Sequence, residues 1–477
     1  MIGGAGWMAA ARLTVQIAQF GSGLLLARLL TPGEFGLFAS VAVLTGFGFI
    51  VFEGGLRSAL VHLRDPSQED YSTVFWVNAL GGVLLALIVW VSAPAIAEFY
   101  GQPELVTLAP LIALTFTFSL GVVHASLLQR EFRFRQVALI EGGATLSGLL
   151  ATLVLALAGA GVYALAIGPV FSQVVVSTAF ALARPWRPRH FVSIASLRRL
   201  FGYSLPLLGA NAADYASKNV DNLLIGKFVG PTALGLYSRA FNLMLLPVTQ
   251  LTTAVGGAVS PALAAMRDDV ARATTAYRRA LGMLSALTVP TMAVLAATAD
   301  GLVPFLWGDR WAAAAPLLAI LSLAGIPQCL IATTAWLYQA QQRTDVMFRV
   351  SLCWTLIGCV GIVIGLRWGA TGVAWAVLAR AWVGLPFELR AATRRLDMRF
   401  ADFLVGDVLR VVVPAAALGV AVWLLPAVLG LDRTGGGALL LQLGAAAVLF
   451  ALLSLTVNRT VLKNGVSLLR SRRTVAA

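Results

Sequence analysis

Hydrophobic residues run through this chain in long continuous stretches, broken by short polar clusters. A run of roughly 20 apolar residues is long enough for a helix to cross a bilayer. About fourteen such runs recur between Trp7 and Val457. They are continuous rather than alternating, which fits spanning helices and not the strands of a membrane barrel. The pattern predicts an all-α polytopic membrane protein with about fourteen transmembrane helices.

One stretch occurs twice. Arg12 to Phe38 reads RLTVQIAQFGSGLLLARLLTPGEFGLF, and Asn211 to Tyr237 reads NAADYASKNVDNLLIGKFVGPTALGLY. Placing Pro32 on Pro231, a shift of 199, puts Leu24-Leu25 on Leu223-Leu224, Arg28 on Lys227, Gly36 on Gly235 and Phe38 on Tyr237. Further matches follow in order. Tyr100-Gly101 pairs with Trp307-Gly308 at 207, Pro110 to Ala113 with Pro316 to Ala319 at 206, Arg130 with Arg343 at 213, and Gly161-Val162 with Gly372-Val373 at 211. Preserved order within a narrow band of shifts predicts two pseudo-symmetric six-helix lobes plus two C-terminal helices, the repeats being parallel. The N-lobe covers 1–183, a cytoplasmic linker 184–200, the C-lobe 201–389 and a second basic linker 390–403. Residues 404–477 hold the last two spans and a basic cytoplasmic tail. The first linker, RPWRPRHFVSIASLRRL, mixes Pro, Arg and apolar residues as an interfacial helix would.

Composition sharpens this picture. The 477 residues are 59% hydrophobic and 12% charged, with a mean hydropathy of +0.85, far more apolar than a soluble chain of this size. The net charge is +14, but its placement reports topology. With the N-terminus in the cytoplasm and the spans alternating, 24 of the 35 Lys and Arg fall in cytoplasmic connections. This positive-inside bias predicts that both termini are cytoplasmic and gives no reason to expect nucleic-acid binding. Cys329, Cys353 and Cys359 lie in apolar runs, as small hydrophobes do, with no metal spacing. The N-terminus has no basic n-region or cleavage site, so the first span is expected to be the targeting signal.

Polar residues inside the spans are the candidate chemistry, because charge in a membrane is costly and usually faces a bundle interior or a watery cavity. Steps of three and four put Arg12, Gln16, Gln19 and Ser22 on one stripe, and Asn211, Asp214, Lys218 and Asp221 on another, with Asn222 beside it. At the 199 shift Arg12 falls on Asn211, Gln19 on Lys218 and Ser22 on Asp221. The two faces are read as opposite walls of a hydrated substrate cavity. The plainer alternative is that Asp214, Lys218 and Asp221 neutralise one another between helices. Arg239 on the next span adds a basic group. Glu53 and Arg57, one turn apart, are candidates for ion coupling or helix pairing, as are Asp214 and Asp221. Arg28 and Lys227 are either snorkelling anchors or basic groups for an anionic substrate. His62, His124 and His190 have no matched nucleophile or acid, so transport is expected rather than catalysis, with no metal and no cofactor.

With those residues in view, LLLARLLTPGEFGLF resembles the opening signature of the bacterial polysaccharide flippases, the Wzx-like polysaccharide transporter family of the multidrug/oligosaccharidyl-lipid/polysaccharide exporter superfamily. GLRSALVH, LLQREFRFRQVALIE and DNLLIGKFVGPTALGLYSRAFNL support this, and the last two are similar to the colanic-acid-exporter branch. The resemblance implies a flippase of the bacterial inner membrane. It would carry polyprenyl-pyrophosphate-linked oligosaccharide repeat units from the cytoplasmic to the periplasmic leaflet, by alternating access, for lipopolysaccharide or exopolysaccharide biosynthesis. It also implies contact with membrane lipids, with the polysaccharide polymerase and with the chain-length machinery, and leaves H+ or Na+ coupling open. The family's cavity is basic, whereas here Arg12, Lys218 and Arg239 stand beside Asp214 and Asp221, which leaves the substrate's charge open. A multidrug cation antiporter and a lipid II flippase of the same superfamily are the alternatives.

Overall fold

The computed structural model describes the backbone of residues 2–63, 65–394 and 396–456. Side chains at 2–12, 49–59, 62, 201–210, 213, 214, 344 and 454–456 lie outside the described set. The chain forms two compact units, 1–235 and 236–477. The first holds α1 (Ile2–Leu29), α2 (Pro32–His62), α3 (Gln68–Tyr100), α4 (Leu105–Thr117), α5 (Val122–Arg130), α6 (Phe134–Leu157), α7 (Val162–Ala183), α8 (Ile194–Phe228) and the first turn of α9 (Pro231–Ala265). The second holds the rest of α9, then α10 (Val270–Ala297), α11 (Ala299–Trp307), α12 (Ala315–Ala332), α13 (Thr334–Ala340), α14 (Thr344–Gly365), α15 (Gly369–Thr393), α16 (Phe400–Phe403), α17 (Arg410–Val428) and α18 (Gly436–Thr456). Among the described residues there is no strand, and the all-α membrane class stands. Ten described stretches are long and apolar enough to cross a bilayer, and one of them, 345–393, contains both α14 and most of α15. The rest of the difference from the expected fourteen falls on α1, α2 and α8, parts of which lie outside the described side chains.

The internal repeat is visible in the helix ends. α1 stops at Leu29 and α2 starts at Pro32; α8 stops at Phe228 and α9 starts at Pro231, the same shift of 199. The first break is a capping box. The Glu34 carboxylate accepts from the Thr31 N–H at 2.7 Å and from its hydroxyl at 2.9 Å, while Thr31 Oγ1 accepts from the Glu34 N–H at 3.3 Å. Pro32 fits there because the first helical residue has no N–H bond to lose. Tyr100-Gly101 and Trp307-Gly308 both end helices on a glycine with positive φ, +66° and +90°. One match changes register. The turn after α5 has Phe132 at φ +56° and an Arg133 N–H bonding Leu128 O, and the turn after α13 has Gln342 at +55° and an Arg343 N–H bonding Tyr338 O. Arg343 therefore corresponds to Arg133, not Arg130. Three arginines within six residues make the sequence match ambiguous. Arg130 has another task. Its guanidinium donates to the carbonyls of Leu60, Val61 and Leu63 at 2.8–3.3 Å, closing the C-terminal end of α2.

The first linker is not an interfacial helix. Residues 184–193 form a strap without helical structure, and helix resumes only at Ile194. Pro185 and Pro188 withhold two N–H groups and push the preceding residues towards extended backbone. Side chains of α3 take up the exposed backbone groups. Gln68 donates to Arg187 O, Trp76 donates to His190 O, Ser72 accepts from the Arg189 N–H and Thr73 accepts from the Ser193 N–H, all at 3.1–3.3 Å. The Trp186 indole donates to Gln68 Oε1 at 3.1 Å and packs against Tyr71, Phe75 and His124.

In the second unit, α17 and α18 pack beside α10 through Ala297, Leu418, Val422 and Ala446. Buried Gln442 on α18 donates to Ala297 O at 3.4 Å and Val422 O at 3.1 Å, tying the last helix to both neighbours.

Candidate functional site

α1 and α8 carry the two polar stripes, and both lie in the first unit. α1 packs on α6, where a Cβ on Gly142 would lie 3.3 Å from Val15 Cγ2. Along its stripe Gln16 is half-buried, Gln19 is exposed, and the buried Ser22 hydroxyl donates to Gln19 O at 3.1 Å. α8 packs on α2 and α3. Tyr215 holds it there: its hydroxyl donates to Ala42 O at 3.2 Å, its ring lies 6.5 Å from that of Phe47, and Gly46 leaves it room.

The stripe on α8 splits into two environments. Lys218 is exposed, whereas Asp221 is 7% exposed and its Oδ1 accepts from the Asn222 N–H at 2.8 Å. Asn211 and Asn222 are half-buried. The Asn222 amide reaches Asn219 Oδ1 at 3.5 Å, and its own Oδ1 is buried without a hydrogen-bond partner. Arg239, also half-buried, belongs to the second unit. Arg12, Asp214, Glu53 and Arg57 fall outside the described side chains. Arg28 is exposed. Lys227 donates to Phe99 O and sits 4.7 Å above the Phe99 ring, which ties the ends of α8 and α3 together.

A second polar feature has no comparable stripe in the sequence. α4 and α5 are separated by a break at 118–121, which frees backbone carbonyls inside a membrane-spanning stretch. α7 answers it: the Ser177 hydroxyl donates to Phe118 O, and the Gln173 amide donates to Ser119 Oγ at 3.2 Å. Beside the break lies a cavity of about 210 Å³ lined by Gly121, Glu141, Thr145, Ser172, Gln173 and Ser177. Glu141, and Glu388 in the second unit, carry the same signal that marks α8, an acidic residue within an apolar run.

Multiple helices long and apolar enough to span a bilayer, with polar residues inside them, mark a multi-pass membrane protein. The chain matches the family described as "Polysaccharide biosynthesis protein" over residues 25–316 and belongs to it. It is 27% identical to the teichuronic acid biosynthesis protein TuaB of Bacillus subtilis over 390 residues, covering 80% of this chain and 79% of that one. It is 24% identical to the lipopolysaccharide biosynthesis protein WzxC of Escherichia coli over 389 residues, covering 79% and 77%. Its fold is similar to that of the lipid II flippase MurJ in its inward closed conformation, with a TM-score of 0.78 at 16% identity over 95% of this chain and 99% of that one.

Proposed function

We propose that this protein is a flippase of the bacterial inner membrane, with both termini in the cytoplasm. It turns polyprenyl-pyrophosphate-linked oligosaccharide repeat units from the cytoplasmic to the periplasmic leaflet by alternating access between lobes 1–183 and 201–389. The observation that carries this reading is the pair of polar stripes on α1 and α8 at one repeat register, in a member of a polysaccharide biosynthesis family. The basic groups Arg12, Lys218 and Arg239 meet the pyrophosphate, since charge-assisted bonds to phosphate oxygens are the stronger class. Gln16, Gln19, Asn211 and Asn222 offer amides to sugar hydroxyls. Asp214, Asp221 and the Glu53–Arg57 pair serve coupling or helix pairing. The polyprenyl tail stays in lipid, and polymerase and chain-length proteins take the product.

Loss of one charge-assisted contact at about 1.5–3 kcal/mol corresponds to a tenfold or greater fall in rate. A strain lacking the protein is expected to accumulate a complete lipid-linked repeat unit on the cytoplasmic leaflet, read by mass spectrometry with leaflet-resolved labelling. Wild type clears it, and Lys218→Ala clears it at least about tenfold more slowly. Accumulation on the periplasmic leaflet instead would assign the chain to a later polymerase or ligase step. No accumulation, with raised sensitivity to cationic drugs, would assign it to multidrug export.

A further inference from the structure

Glu388 lies five residues before the end of α15, within the apolar stretch 345–393, and is 8% exposed. None of the proposed substrate contacts involves it. Its position is built by small residues. A Cβ on Gly384, one turn earlier, would lie 3.1 Å from Glu388 Oε1 and 3.4 Å from the Trp354 ring, so the carboxylate folds back along its own helix towards Gly384. The groups whose charge or ring faces it come from three helices. Arg380, two turns back on α15, acts on it through space, and Arg380 Nε donates to Trp354 O at 3.1 Å. Tyr338 on α13 feels its charge, and Arg343 acts on Tyr338 from the α13–α14 turn. Trp354 on α14 packs against Gly384, one turn before Glu388. Tyr338 is 2% exposed, and its hydroxyl oxygen is buried without a hydrogen-bond partner.

A carboxylate on α15 and an unpartnered phenol hydroxyl on α13 thus lie buried on two helices that pack together at the end of a membrane span. A buried ion without close pairing is costly, and a neutral carboxyl removes that cost while supplying a donor. A metal ion would need several oxygen ligands, and the described residues contain no group of three or more His, Cys, Asp or Glu able to hold one. We infer that Glu388, with Tyr338, is an exchangeable proton site in the second unit, separate from the polar stripe of α8. Charging and neutralising this carboxyl changes what α13 and α15 offer each other at their shared end. The site goes beyond the flippase reading, and its test uses no transport.

The test is reaction of the purified full-length protein in lipid nanodiscs with dicyclohexylcarbodiimide, which adds to protonated carboxyls in apolar surroundings. The adduct is located by peptide mass spectrometry. Labelling of Glu388 is expected at about pH 5.5 and at least about fivefold less at about pH 8.5, unchanged by Na+ at fixed pH. Glu388→Gln, close in size, is expected to abolish that adduct and leave the elution profile of the protein unchanged. Tyr338→Phe is expected to displace the labelling midpoint without abolishing the adduct. Absence of the Glu388 adduct at every pH would mean a permanent ion pair with Arg380 and overturn the proposal, as would labelling that does not vary with pH. Protection by Na+ at fixed pH would overturn the proton assignment. None of these outcomes bears on whether the protein moves a lipid-linked glycan.

Discussion

Alanine at Gly36 or Gly235 is expected to destabilise the protein by about 3 kcal/mol each, with the two effects failing to add. The two glycines are repeat mates at the 199 shift, and the structure sets them in a reciprocal contact within the first unit. A Cβ on Gly36 would strike the Pro231 carbonyl and lie 2.9 Å from Pro231 Cα. A Cβ on Gly235 would strike the Pro32 carbonyl, lying 2.8 Å from its carbon and 3.1 Å from Gly36 N. Each helix start thus sits against the backbone of the other, at a distance that suits Cα–H···O contacts and no side chain. In a membrane, water gives no drive for helices to associate, so close backbone approach at small residues carries much of the packing. Alanine at either position forces the α2 and α9 starts apart by more than about 1 Å. Once apart, the second substitution meets a contact already lost, so the double variant should cost clearly less than the sum. Thermal unfolding in one fixed detergent measures all three variants. Gly21→Ala, which meets open space inside α1, is the control and should cost nothing, since alanine is the better helix former by about 0.5–1 kcal/mol. Additive losses would show that the two contacts are independent and that the reciprocal crossing is not one structural unit.

The helix breaks that make this crossing are legible in the amino-acid sequence, and the reason is local. The Thr31-Pro32-Gly33 break interrupts the apolar run, which locates the boundary to within a few residues, and the Thr31–Glu34 cap in the structure starts α2 at Pro32. The shift of 199 then carries the same boundary to Pro231. The strap at 184–193 is not legible, because its mix of Arg, aromatic and apolar residues is also that of an interfacial helix. What decides it is a set of α3 side chains more than a hundred positions earlier, Gln68, Ser72, Thr73 and Trp76, which satisfy backbone groups that a helix would have satisfied internally. The stripe on α8 is half legible. A period of 3.6 fixes which residues share a face, but not what lies opposite, so it groups Lys218 with Asp221 although one is exposed and the other is packed. Glu388 shows the converse error. Its neighbours one turn away, Gly384, Leu385, Ala391 and Ala392, are not polar side chains, and only the fold packs α13, with Tyr338, on α15.

Arg199→Met is expected to cost about 3 kcal/mol, more than Asp70→Asn, and Asp70→Asn added to it should restore part of the loss. The Asp70 carboxylate is fully buried at the start of α3. Its Oδ2 accepts from the Ser67 N–H at 2.7 Å and hydroxyl at 3.0 Å, closing a capping box, and it pairs with the Arg199 guanidinium near the start of α8. The partners differ in exposure: the arginine side chain is 49% open and the aspartate is closed. Without its carboxylate, Arg199 can turn to water and lose little. Without its guanidinium, Asp70 keeps the cap bonds but holds an uncompensated charge away from solvent, which is the costly direction. Neutralising that charge in the double variant removes the penalty, so the double should unfold above Arg199→Met alone. The pair also fixes to α3 the start of α8, where the strap ends, so limited proteolysis between Arg184 and Ser193 should accelerate in Arg199→Met and slow again in the double. Equal stability of Arg199→Met and the double variant would mean that the Ser67 cap alone satisfies Asp70. α8 would then be fixed to the first unit by Tyr215 and its neighbours on α2, and not by an ion pair at its start.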